Sequence, residues 1–502
     1  HGKPLWFKTP GGVLIVAGAR SGKLRDILAQ NILTGVLTRS TLLILDIKGE
    51  LAAISQDQTA DRKYCLYWNP FALHGLPQHK INPFGHIKWS SKWLYSDVKL
   101  ALEALVPKSG APQAQYFELN ARRVLEAIAL TLVKIHGVLR MPDLYDAVLW
   151  LNEDGARWNE FAGEMYDSGI PLCRSVEAEI HAARDDSSGG WKGVIGEAVK
   201  SLACLSDPTL RESLSPPYDA ELADLCRSDQ AYQFYLMCPP EFIEGWAPVI
   251  KSIFSSAKVL KIRNPSSPKQ TWIIDEAARL KGFEEVVQLF TDGAGIGIRP
   301  IAVFQDVTQM NDLAANGMRK ISSSAALQFY FGIRDLETAR RVSEMLGKET
   351  LHYNDYLMQR RSDLQLRKAV WSVLNGSGST ANALEIKLHG YEAARISLQQ
   401  RSLKSSDEIM NMGDNHMIVF GDELPGPAFV DRIAYWLMRM CAGRFLPNPY
   451  HPPLDQVLCK TLWGSRWFPV VTREVPDEFK GFPQYPNGMG SFVEGFGTKV
   501  FR

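Results

Sequence analysis

The sequence has no apolar run of about 18 residues, the length a membrane-crossing helix needs, so no segment reads as spanning a bilayer. Its most apolar helical stretch, 121–139, carries Arg122, Arg123, Glu126 and Lys134 and reads as an amphipathic core helix. Cysteine is sparse: seven residues, odd in number and never spaced C-x-x-C. That excludes a disulfide framework or a cysteine zinc site and points to a reducing compartment. The ten histidines form no H-E-x-x-H and no cluster with cysteine, so no metal centre is signalled. Nor does charge of one sign dominate. With 56 basic against 55 acidic residues, any surface for nucleic acid would have to be local. No segment of it reads as a signal peptide. The chain opens at His1 shortly before the first core strand, which leaves room for an upstream segment, a membrane anchor included.

What is present is an alternation of short apolar runs with helical periods. Runs at 12–17, 41–46, 232–238, 271–275, 299–304, 325–331 and 416–420 read as buried strands, most of them separated by helices. Such alternation predicts an α/β fold with a mostly parallel sheet. From about 90 to 215 it stops, and helix follows helix, as at 116–138 and 193–204. This reads as an all-helical insertion between the second and third core strands. Between 350 and 405, "QRRSD" and "NGSGST" mark a loose region or hairpin. Residues 447–502, rich in Pro, Gly and aromatics, read as an irregular tail. The expected organisation is a nucleotide-binding domain in two parts, 1–89 and 216–446, a helical domain at 90–215, and that tail.

Three strand ends carry candidate chemistry. "VLIVAGARSGKLRDIL" (13–28) is a strand, a small-residue loop and a helix, the context of a phosphate-binding loop. It departs twice from G-x-x-x-x-G-K-[ST], with Ala17 for the first glycine and Leu24 for the hydroxyl. Backbone amides of Gly18, Ala19, Arg20, Ser21 and Gly22 would cradle phosphate, with Lys23 over the β/γ-phosphates. Leu24 cannot supply the Mg²⁺ ligand usual at its position. An ordinary strand–helix turn is the plainer reading. "TWIIDEAARL" (271–280) ends a strand in Asp275 and Glu276, as a Walker B site does. Asp275 would hold the Mg²⁺ shell and Glu276 would polarise the attacking water. A helix N-terminus favouring acids is the alternative. Gln305, after the strand "IAVF", could contact the γ-phosphate. Arg299 and Arg334, near strand ends, could act across a subunit boundary, although surface arginines are the plainer reading. The two Walker-like segments, in the right order at strand ends, indicate an ATPase using ATP and Mg²⁺.

These segments resemble the type IV coupling proteins of the TraG/TraD kind. The resemblance rests on "VAGARSGK", "LILDIKGEL" (43–51, Ile47 replacing a proline), "NPF" at 69–71 and 82–84, "WIIDEAARL" and "GIGIRPIAVFQDVTQM" (295–310). It continues through "FGIRDLETARRVSEMLG" (331–347), "SSDEIM" (405–410) and "FLPNPYH" (445–451), so it covers nearly the whole chain. It implies a RecA-like P-loop ATPase domain carrying an all-α domain, and a homo-hexamer working with the type IV secretion machinery. It also implies a place at the cytoplasmic face of a bacterial inner membrane, held through N-terminal transmembrane helices not present here, this fragment being the soluble part. The implied cargo is relaxase-bound DNA, effector proteins, or both. An arginine that some members carry soon after Walker B is missing from "TDGAGIGI". Two alternatives stay open: a docking platform that binds nucleotide with little hydrolysis, and a cytosolic DNA translocase of the same fold. Basic clusters at Lys258, Lys261, Arg263 and Lys269, and at Arg360, Arg361, Arg367 and Lys368, read as solvated faces rather than a DNA track.

Overall fold

The structure, a computed structural model, describes residues 7–37, 40–55, 63–106, 112–183, 190–353, 356–375 and 397–496. In chain order its strands are β1 (Val13–Ala17), β2 (Thr41–Asp46), β3 (Tyr64–Trp68), β4 (Tyr232–Met237), β5 (Gln270–Ile274), β6 (Ile298–Phe304) and β7 (Leu327–Phe331). There follow β8 (Lys348–Tyr353), β9 (Ser397–Ser402), β10 (His416–Gly421), β11 (Ala428–Asp431), β12 (Gln456–Thr461), β13 (Gly464–Glu474) and β14 (Met489–Val493). Contacts divide the chain into two units, 1–332 with 413–502, and 333–412.

The first unit is built on a nine-stranded sheet in the order β11-β10-β7-β1-β6-β5-β2-β4-β3. From β7 to β3 every neighbouring pair is parallel; β10 and β11 close one edge antiparallel. β1, β2, β4 and β5 are buried at every position, as strands covered on both faces are. The carboxyl ends of β1, β6, β5 and β2 therefore lie side by side, where an open α/β sheet presents its ligand crevice.

All seven strands read from the sequence are present in this sheet, and two of its strands were passed over. β3, an edge strand, puts the helical run between the third and fourth strands rather than the second and third. β11 has only four residues after a Pro-rich turn. The helical run, from Leu94–Leu105 through Pro112–His136 to Pro208–Ser213, packs its own apolar faces together. Residues 447–496 differ from the irregular tail expected over 447–502. β12, β13 and β14 form an antiparallel sheet, with Val475, Phe479, Tyr485 and Phe492 in a small core. Pro469 within β13 and the many glycines hide the strand period.

The second unit opens with the "DLETA" segment. Asp335 caps the helix Leu336–Leu346, its carboxylate accepting from the Thr338 amide at 2.7 Å. β8 and β9 pair antiparallel, the helix Tyr356–Leu374 contains "QRRSD", and Ser405 with Glu408 forms a capping box on Ser406–Met410. Residues 376–380 of "NGSGST" lie outside the described residues. Among the described residues no helix is long and apolar enough to cross a membrane.

Candidate active site

The loop after β1 turns through Arg20 (φ 59°) and Gly22 (φ 87°), both left-handed. A side chain at Gly22 would meet the Arg432 guanidinium at 2.9 Å and the Asp26 carboxylate at 3.1 Å, so only glycine fits. Of the loop amides from Ala19 to Lys23, only that of Ser21 donates to a carbonyl, that of Gly18 at 3.2 Å, among the described residues. The remaining amides are available to an anion. The Ser21 hydroxyl is likewise buried without a partner. A left-handed loop of unused donors ahead of a helix is what phosphate recognition requires, so the residues fit a nucleotide. The first turn after Lys23, Leu24–Leu28, is π-helical, and Leu24 brings no hydroxyl to it.

Across the crevice, β5 delivers Asp275 and Glu276. Lys23 Nζ lies 2.7 Å from Asp275 Oδ1 and 3.6 Å from Glu276 Oε1, with all three side chains 20% exposed. Burial alone would lower the Lys23 pKa, but the two carboxylates outweigh it and hold the amine above its ordinary value. Glu276 has φ 50° and ψ 48°, uncommon for a residue with a side chain. Its amide donates to Asp275 Oδ1 at 3.0 Å, and Arg279 Nε stands 3.4 Å from its Oε2. The carboxylate pair, beside a lysine it could release, also fits a hard divalent cation. Gln305 follows β6, the strand between β1 and β5; its amide donates to the Gln309 side chain at 2.9 Å.

The residues from Gly18 to Leu24, Asp275, Glu276 and Gln305 thus stand on three adjacent strand ends. Arg299 does not join them. It opens β6 opposite Thr271, at the other end of the sheet, and its Nε donates to the Gly11 carbonyl at 3.2 Å. Arg334 belongs to the second unit and is exposed. The cluster ahead of β5 is only in part a solvated face, with Lys269 exposed and the others engaged. Lys261 is 1% exposed and bonds Ser267, Arg263 pairs with Asp97, and Lys258 bonds Gln288.

Two features went unassigned in the sequence. Asp46, ending β2 within "DIKGEL", accepts the Ala52 amide at 2.7 Å and is 4% exposed. Burial pushes its carboxyl up to about 7, the Ala52 amide opposes this, and the Asp275 and Glu50 charges add to it. Arg432, just past β11, packs against the back of the loop, its side chain 1% exposed. No local pattern marks it, because its carboxylate partner Asp26 lies 406 positions earlier. A groove of about 300 Å³ lies by Trp158, Tyr166 and His181 in the helical run, away from this chemistry.

Residues 1–363 match the family model described as Type IV secretory system Conjugative DNA transfer. No curated protein matches by sequence. Among solved structures, the chain is similar to the unbound bacterial conjugative coupling protein TrwBdeltaN70. The TM-score is 0.61 at 16% identity, over 84% of each chain. It is similar also to plasmid coupling protein TrwB in complex with ADP and Mg²⁺, with TM-score 0.60, 16% identity, and 85% and 86% of the two chains covered. A third similar structure is TrwB with the GTP analogue GDPNP, with TM-score 0.60, 16% identity, and 84% and 86% covered. These likenesses show the fold: a RecA-like P-loop ATPase fold with an all-α domain.

Proposed function

Because the chain belongs to the Type IV secretory system Conjugative DNA transfer family, we propose that it is a nucleotide-driven coupling protein, recruiting substrate to a secretion channel and powering or gating its transfer. The observation that carries this is the meeting of Lys23 with Asp275 and Glu276 across two strand ends, beside a loop whose amides are unused. TrwB, of the same fold, has been captured with ADP and Mg²⁺, which supports the same ligands here.

In this reading the loop amides and Lys23 hold the phosphates of ATP. Lys23, kept charged by its carboxylate neighbours, moves from Asp275 to the phosphate oxygens, so Asp275 is freed for the cation. Bound there, Mg²⁺ would neutralise charge developing on the transferred phosphoryl group. Glu276 would then orient the attacking water and accept its proton, and Gln305, on the strand end between Lys23 and Glu276, would contact the γ-phosphate. The working assembly is a homo-hexamer at the inner membrane, and its cargo is relaxase-bound DNA or effector protein, as the family resemblance implies.

One observation favours a second reading. Leu24 leaves the cation without its usual loop ligand, and Lys23 already has two carboxylate partners, which suits a platform gated by binding rather than turnover. Hydrolysis of ATP by the chain, with and without single- and double-stranded DNA, separates the two. DNA-stimulated turnover lost in Lys23→Ala and Glu276→Gln supports the motor. Background rates in all three proteins, with ATP binding lost only in Lys23→Ala, support the platform.

A further inference from the structure

We infer that Arg432 is the positioning residue of the nucleotide loop, fixing from behind the peptide that presents the Gly22 amide. The inference rests on the nucleotide reading of that loop. Arg432 Nε and one terminal nitrogen both donate to Asp26 Oδ2, at 2.9 and 2.5 Å. The same terminal nitrogen donates to the Ser21 carbonyl, and the other to the Asp414 carbonyl at 2.8 Å. The guanidinium carbon sits 4.3 Å from the centre of the Phe331 ring. Both charges are within 1% of complete burial. A planar fork is therefore used on every side, and a lysine ammonium could not reproduce it.

The direction of these bonds matters. In a trans peptide the carbonyl and the following N–H point opposite ways. Holding the Ser21 carbonyl against Arg432 turns the Gly22 N–H away from the guanidinium, towards the front of the loop. Gly22, left-handed, accepts that orientation, and its missing side chain is the space the guanidinium occupies. Ser21 is also confined from the side. A methyl group on Gly332, at the end of β7, would come within 2.4 Å of its Cβ. Asp26, on the first turn after the loop, completes the clamp. It carries Arg25 on its exposed side, at 2.6 Å, and Arg432 on its buried side. Since Leu24 supplies no hydroxyl, the loop's hold on phosphate depends on its backbone, and Arg432 sets that backbone.

The test measures binding of Mg²⁺ and a fluorescent ADP to the full chain, as wild type, Lys23→Ala, Arg432→Lys and Asp26→Asn. Each protein is also melted without nucleotide, and hydrogen exchange is followed over 18–25 and, as a remote control, over 120–136. Arg432→Lys is expected to melt below the wild type yet stay folded at the assay temperature, to exchange faster over 18–25 with 120–136 unchanged, and to bind ADP about tenfold more weakly, the scale on which supporting partners act at built sites. An Arg432→Lys protein with wild-type affinity and wild-type exchange overturns the inference. Should that variant not fold, Asp26→Asn decides on the same two readouts, since it keeps the shape of the carboxylate and removes its charge. A wild type that binds no ADP, or binds it equally well after Lys23→Ala, fails the nucleotide reading itself and removes the basis of the inference with it.

Discussion

Lys63 and Lys23 both stand at ends of core strands, and they are held in opposite ways. Lys63, just ahead of β3, is 1% exposed and donates to the Leu37 and Ser40 carbonyls at 2.6 and 2.8 Å. Its neighbours at the amino ends of the strands behave alike: Lys261 donates to the Ser267 carbonyl at 3.0 Å and Arg299 to that of Gly11. These cations answer carbonyls that the fold itself leaves in need of donors. Lys23, at the carboxyl ends, is held by two carboxylate side chains and is partly open to water. A main-chain carbonyl cannot be exchanged without unmaking the fold, whereas a carboxylate can yield its cation to a ligand's oxygens. One end of the sheet is thus closed by its polar groups, and the other is kept ready for a substrate.

The sharpest way to break that contrast is Lys23→Ala. It should weaken nucleotide binding by about a hundredfold or more, the scale of a lost charge-stabilising donor, while the melting temperature without nucleotide stays near wild type. Lys63→Met should do the reverse. By orphaning two buried carbonyls it should cost about 1–3 kcal/mol of stability, read from urea unfolding, with nucleotide affinity unchanged. Equal effects of the two variants on binding would erase the distinction between the two ends. Leu24→Thr sharpens the picture of the open end. A hydroxyl returned to the cation should raise steady-state ATP turnover by roughly tenfold at limiting Mg²⁺, as orienting partners do at metal sites.

Asp46 gives a pH signature. Its folded pKa of about 7 stands above the ordinary 3.8, so across that interval the native state holds a proton that the unfolded chain has released. Stability conferred by this group is accordingly greatest below the interval, falls as pH rises through it, and is level above. Asp46→Asn should flatten the decline in melting temperature between about pH 4 and about pH 7. A wild-type slope retained in the variant would assign the decline elsewhere. The smallest effect is expected from Arg299→Ala, which gives up one hydrogen bond worth about 0.5–1.5 kcal/mol and leaves nucleotide affinity intact. Loss of ATPase activity in that variant, in the assembled protein alone, would give Arg299 a role across a subunit boundary.

What was legible in the sequence follows from how locally each feature is written. The apolar runs at 13–17, 41–46 and 270–274 announce themselves because strands buried on both faces need an unbroken apolar code. Asp275 and Glu276 follow such a run directly, and Lys23 sits one short loop after another, so their meeting could be anticipated from order alone. β11 could not, since four residues carry almost no period, nor could the strands around Pro469. The charges ahead of β5 misled in a different way: a lysine count says nothing of Lys261 turning inward to Ser267. Arg432 was beyond reach, because its meaning lies wholly in Asp26, Ser21 and Asp414, and two of these are more than four hundred residues away.

That separation also sets an order in time. On a ribosome adding about 5–20 residues each second, Asp26 is made well before Arg432, which follows it by 406 positions. Until then its carboxylate has Arg25 as a partner but lacks the one that meets it on its buried side. The loop after β1 is therefore completed by a residue just past β11, the last strand of the main sheet in chain order. A nascent or truncated chain that ends before Arg432 carries every residue of the loop and still lacks the bond that sets it, so competence for nucleotide arrives late in synthesis, once the chain has returned to the loop.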